Sequence, residues 1–266
     1  MQAASLPALA GWQWARNGLT LFLRQPLAMF AWAMAISVTL MLASATPPIG
    51  PLVFVALMPV ITVMTLSACR HVAAGHAMVP SMWAEPLKPA GIFKRLTGLG
   101  ALYVGFSLLA GLAAFLPYMD SIASAFDAAM ESDPTPVLMA MRAPMLIFGL
   151  LYVAIATLFW YAPALIAFHG TSLMQALFFS VVACWRNKWA FLVYGLVWGA
   201  AFFAIDLLAT LLIAIGLSPS GAALLRTPLN IALGGILYCS FYSNYTSVFE
   251  IDRAEPELDD GVGPEA

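Results

Sequence analysis

Six apolar runs, each 18 to 27 residues long and carrying at most one charge, constrain this chain more than any other feature. They lie at about residues 27–45, 52–69, 96–116, 145–168, 189–215 and 228–249. A hydrocarbon layer about 30 Å thick takes about 20 helical residues to cross. Backbone groups in lipid must be satisfied within the segment itself, which leaves the α-helix for separate runs of this length. The expected fold class is therefore all-α: a polytopic membrane bundle of six transmembrane helices with short interfacial helices. Composition agrees, because 62% of the residues are apolar and only 9% charged, against about 25% charged in soluble domains. No soluble core hides that much apolar surface, so the solvent is lipid.

The segments between the runs set the orientation. Arg16, Arg24, Arg70, Lys88, Lys94, Arg95, Arg186, Lys188 and Arg253 fall on one side, and only Arg142 and Arg226 on the other. That nine-to-two asymmetry places both termini in the cytoplasm, N-in and C-in. Arg16 and Arg24 ahead of an apolar run imitate a signal peptide, but the run is long enough to span and no convincing small-residue cleavage site follows, so a retained first helix is expected. Seven of the 13 acids lie in residues 250–266, which read as a disordered acidic cytoplasmic tail and a surface for protein partners. The basic residues border the membrane and form no separate stripe, which excludes a nucleic-acid reader and points to anionic lipid headgroups as the partner.

The region from Trp160 to Tyr194 holds the organising pattern. Pro163 sits in the inner half of the fourth run and predicts a kink. Gly170 suits the left-handed residue that ends a helix. Ser172 and Gln175 form a capping box for a short helix that Arg186 and Lys188 halt at the headgroups before Trp189 re-enters lipid. The N-terminal segment reads the same way: Trp12, Leu19, Phe22 and Leu23 recur at helical spacing, predicting a helix lying in the interface. Arg24-Gln25-Pro26-Leu27-Ala28-Met29 matches Arg186-Asn187-Lys188-Trp189-Ala190-Phe191, and Lys94-Arg95-Leu96 opens a third unit of interfacial segment plus hairpin. Arg24, Arg95, Arg186 and Lys188 are the expected interfacial anchors. Gly98, Gly100, Gly105 and Gly111 allow close helix approach in the third span, Met119–Met130 suits a short surface helix, and Leu217–Thr227 reads as an outer loop.

The residues G-W-x-W-x-R-x-G-x-x-L-F-x-R-x-P over 11–26, with A-P-A-L-I-A-F-H-G over 162–170 and A-C-W-R-N over 183–187, resemble an uncharacterised family of six-span proteobacterial inner-membrane proteins. The organisation is distantly similar to the membrane domain of bacterial glycerophosphodiester phosphodiesterases. The resemblance implies a location in the bacterial inner membrane. It implies no active site, since these motifs mark interface turns.

Asp206 is the one acid inside a span, about 25 Å from Trp189 and so in the outer half of the bilayer. Such acids pair structurally, here with Arg142 or Arg226, or serve proton or substrate coupling. In the sixth span Tyr238, Tyr242 and Tyr245 share one face, and Ser240, Ser243, Asn244 and Ser247 another. That polarity should face protein or a wet cavity. Cys69, His71, His76 and His169 carry metal-ligand chemistry, but C-x-H-x4-H is no recognised spacing and lacks a fourth ligand. Three widely spaced cysteines build no disulfide framework. Nucleophile elbow, H-E-x-x-H, Walker A and dinucleotide motifs are missing, so no catalytic residue, cofactor or metal is expected. The expected function is a non-enzymatic membrane scaffold or envelope-homeostasis protein. The alternative is a small carrier or lipid-handling protein with a cavity near Asp206 and the polar face of span six.

Overall fold

The computed structural model describes residues 3–79, 81–129 and 133–249, and every regular element among them is helical. The tail expected at 250–266 lies outside the described residues. The helices are α1 (Ala10–Arg24), α2 (Pro26–Ser44), α3 (Ile49–Ala73), α4 (Ser81–Ala84), α5 (Ile92–Phe115), α6 (Met119–Ala128), α7 (Thr135–Phe159), α8 (Ala162–His169), α9 (Leu173–Arg186), α10 (Lys188–Ala214) and α11 (Pro219–Phe249). Among the described residues six segments are long and apolar enough to cross a membrane: Pro26–Ser44, Ile49–Ala73, Ile92–Ala128, Thr135–His169, Lys188–Ala214 and Pro219–Phe249. The protein is thus an all-α polytopic bundle, with the expected short helix after the third span present as α6.

Two boundaries differ from the sequence reading. The sixth helix begins at Pro219, not Pro228, so most of the expected outer loop Leu217–Thr227 is helical. Ser218 Oγ accepts the Gly221 N–H at 3.1 Å, and Pro219 occupies the first helical position, where its missing N–H costs nothing. Pro228 falls inside the helix, as prolines in membrane helices often do. The kink expected at Pro163 is a full break one turn earlier. The proline ring clashes with the carbonyl four residues back, that of Phe159, where α7 ends. Ser180 of α9, fully buried, bridges the break: its Oγ donates to Thr157 O at 2.7 Å and accepts the Tyr161 N–H at 3.0 Å. Two of the backbone groups that the break frees, Thr157 O and Tyr161 N–H, are therefore satisfied inside the protein.

Neighbouring spans pack in the order α10, α11, α2, α3, α5, α7, while α7 and α10 share no packed seam among the described residues. The spans form an open arc. Burial concentrates at the end that carries Arg24, Arg70, Arg95 and Arg186: Trp14, Leu96, Leu99, Tyr161, Leu165, Ile166, Ala183, Tyr194, Tyr245 and Val248 meet in one cluster there. Toward the opposite end Leu150, Val153, Phe203, Leu207, Leu211 and Leu224 face outward, as lipid-facing residues do.

The first helix is more than a surface helix. It runs antiparallel to the end of α11 and against the start of α10, with Trp14 Nε1 donating to Ser247 Oγ at 2.7 Å and Asn17 Nδ2 to Ser243 Oγ at 3.1 Å. A Cβ on Gly11 would overlap the backbone of Ala190 and Tyr194, and one on Gly18 the backbone of Ser240. Trp12, Leu19 and Leu23 remain on the outer face, whereas Phe22 is buried. Of the glycines expected to allow close approach in the third span, only Gly100 does so, against the Ala56 carbonyl; Gly98, Gly105 and Gly111 face open space.

Candidate functional site at the basic end

The residues proposed as one intramembrane polar site are dispersed. Asp206 Oδ1 lies 3.7 Å from Arg226 Nη1, with the two side chains 63% and 52% exposed. The depth of this pair follows from α2, whose 19 residues span about 28 Å. Met29, one turn into α2, touches Cys239 at 3.8 Å between sulfurs. Arg226 lies 13 residues before Cys239 along α11, about 20 Å further in. The ion pair therefore sits near the far end of the bundle, on an outward face. No described carboxylate pairs with Arg142, on α7. Tyr238 packs beside Trp32 and Phe54. Asn244 is fully buried on another face, where its Oδ1 accepts Trp160 Nε1 at 3.4 Å. Tyr242 borders a groove with Arg24. Only Asp206 and Arg226 come together, because the others occupy different faces and levels of α11 and α7.

The anchors meet different partners. Arg24 Nη1 donates to Ala73 O at 2.9 Å and Arg95 Nη1 to Gly170 O at 3.2 Å. Each cation therefore neutralises the carbonyl end of a returning helix, α3 or α8. Lys188 Nζ stands over the Trp185 and Trp189 rings at 4.8 and 5.8 Å. Arg186 closes the last turn of α9. Gly170 has the left-handed conformation expected of it (φ 64°), and Ser172 with Gln175 forms the capping box.

Sequence reasoning missed the residue after each arginine. Gln25 is the whole joint between α1 and α2, and Asn187 the whole joint between α9 and α10. Gln25 Nε2 donates to His76 O at 2.7 Å and its Oε1 accepts Met78 N at 2.8 Å. Asn187 Nδ2 donates to Ala4 O at 2.8 Å and its Oδ1 accepts Leu6 N at 2.9 Å. Both amides thus clamp an unwound segment by the carbonyl of one residue and the N–H two residues on. Only an uncharged amide offers a donor and an acceptor side by side in this way. The aligned Arg-Gln and Arg-Asn pairs of the repeat carried this signal.

Two clefts flank the end of α3. One, of about 410 Å³, is bordered by Ser67, Arg70, His71, His76, Glu85 and Phe168 among others. The other, of about 240 Å³, lies between α1, α3 and α11 beside Arg24, Tyr242 and Ser243. The four residues with metal-ligand chemistry separate here. His71 Nε2 meets Glu85 at 3.2 Å, and the His71 and His76 rings stand 6.3 Å apart. Cys69 is buried beside Cys239, and His169 packs on Tyr245. The geometry here is that of charge placement and backbone clamping at the basic end of the bundle.

Six membrane-length helices, a lipid-facing exterior and a packed basic end define an integral, multi-pass membrane protein. The chain is 35% identical over 263 residues, 95% of its length and 96% of the relative's, to a protein of Burkholderia thailandensis described as a probable inner membrane protein. It belongs to that family of inner membrane proteins and is itself a multi-pass protein of the bacterial inner membrane. No family model and no solved structure matches it.

Proposed function

We propose that the protein is a non-enzymatic scaffold of the inner membrane serving envelope homeostasis, with both termini in the cytoplasm and its basic end against anionic headgroups. The observation that carries this reading is the concentration of core, clamps and helix-capping arginines at the basic end. There α1, α8 and α9 tie the three hairpins into one headgroup-level platform. The acidic tail is, in this reading, the contact for protein partners. The likeness to the membrane domain of glycerophosphodiester phosphodiesterases enters as one of architecture alone.

One observation favours the alternative of a lipid-handling protein or small carrier: among the described residues α7 and α10, the two ends of the arc, do not pack closely on each other. Complementation of a deletion strain under envelope stress separates the two. Asp206→Asn removes the charge and keeps the shape, so a scaffold retains full complementation. Failure of that variant at normal expression and stability refutes the scaffold and supports a coupled carrier. For orientation, an impermeant thiol reagent on intact cells labels a cysteine placed at Ser218 and spares one at Ser172; the reverse pattern refutes N-in/C-in.

A further inference from the structure

The cleft of about 410 Å³ beside α3 has the size of a small-molecule site and lies at headgroup level. Arg70 directly follows Cys69, which is buried beside Cys239, and Cys239 touches Met29, one turn into α2. Arg70 is exposed, and its side chain makes no hydrogen bond or ion pair among the described residues. The other arginines nearby are engaged, Arg24 on Ala73 O and Arg95 on Gly170 O. The carbonyl ends that would repel an anion are thereby capped, and Arg70 is left over.

The wall is preset around it. His71 Nδ1 faces Ser67 O at 2.9 Å and Nε2 faces Glu85 at 3.2 Å. Both ring nitrogens of His71 thus already have partners within the wall. His76 presents a second ring 6.3 Å away, its backbone carbonyl clamped by Gln25. Behind Arg70 and Phe168 lies Tyr245, 2% exposed, within electrostatic reach of Arg70 and with a hydroxyl that has no hydrogen-bond partner among the described residues. Ala167, Phe168, Pro86 and Pro89 make the remaining wall apolar, suited to glycerol and the first acyl carbons.

We propose that this cleft binds an anionic phosphate group, carried by a phospholipid headgroup or free in solution, with Arg70 as its principal ligand and His76 as its second. This rests on the reading of the basic end as a headgroup platform and adds a discrete site to it. Thermal unfolding of the purified full chain in neutral detergent tests it, with dioctanoylphosphatidylglycerol, dioctanoylphosphatidylcholine and sodium phosphate as probes. A ligand that binds only the folded state raises the melting temperature in a saturable way. Phosphatidylglycerol is expected to do so. Arg70→Gln and His76→Gln should each weaken the response about tenfold or more, as loss of a charged hydrogen bond does, while Arg16→Gln, outside the cleft, leaves it unchanged. An equal response to sodium phosphate keeps the site and assigns it to soluble phosphate. An equal response to phosphatidylcholine overturns the anionic site. If Arg16→Gln weakens the response as much as Arg70→Gln, diffuse attraction replaces the cleft and the headgroup platform stands. Absence of any response to phosphatidylglycerol and to sodium phosphate overturns both.

Discussion

Asn187→Leu tests the amide clamp directly. The side chain is 1% exposed and holds Ala4 O, Leu6 N and, within its own helix turn, Ala183 O at 2.8 to 2.9 Å. Leucine keeps the volume and removes every one of these bonds. Each lost bond is worth about 1 kcal/mol, and a polar group left buried costs about 1–3 kcal/mol. Residues 3–9 can swing away and rehydrate their backbone, which caps the loss for that segment at about 2–3 kcal/mol. At about 1.4 kcal/mol per factor of ten, the segment's opening equilibrium rises about 30- to 150-fold. Amide hydrogen exchange reads this at Leu6, and the Met78 N–H, held by Gln25, is the internal reference. Leu6 should exchange faster by that factor while Met78 does not change; Gln25→Leu should give the mirror result. Unchanged exchange at Leu6 would refute the clamp. Equal acceleration at both sites would show a general loss of stability instead.

Gly18→Leu drives a side chain into the Ser240 backbone and should cost at least the 1–3 kcal/mol, roughly, of overpacking; Gly98→Leu, facing open space, should leave detergent thermal stability unchanged. Reversing Arg24 to Glu should destabilise more than reversing Arg186, since it aims a carboxylate at the Ala73 carbonyl against the α3 dipole; equal melting temperatures would contradict this. The three thiols are buried, and burial pushes Cys184 up to about 12. At pH 8 the reactive thiolate of Cys184 is therefore scarce in the folded protein, and maleimide should label Cys69, Cys184 and Cys239 only after denaturation.

The sequence by itself determined the architecture. Lipid cannot hydrogen-bond the backbone, so long uncharged runs had to become helices, and proline, glycine and capping residues marked their ends. Gly170, the Ser172 box, the joint before Pro26 and the short helix over Met119–Ala128 were legible because each is a local event within one or two turns. The Ser218-Pro219 start of the sixth helix reads as loop from sequence because the inner proline Pro228 imitates the start, since proline stops helices in water more strictly than in a membrane. What only the tertiary structure decided are the long-range pairings. Periodicity says which residues share a helix face, not which neighbour that face meets. Asp206 with Arg226, Asn187 with the segment at Leu6, and Ser180 at the broken turn before Pro163 link residues 20, 181 and 19 to 23 positions apart. Such contacts depend on how six helices order themselves around the arc. That order comes from side-chain packing across helices, as where Gly18 seats on Ser240, and no single segment contains it.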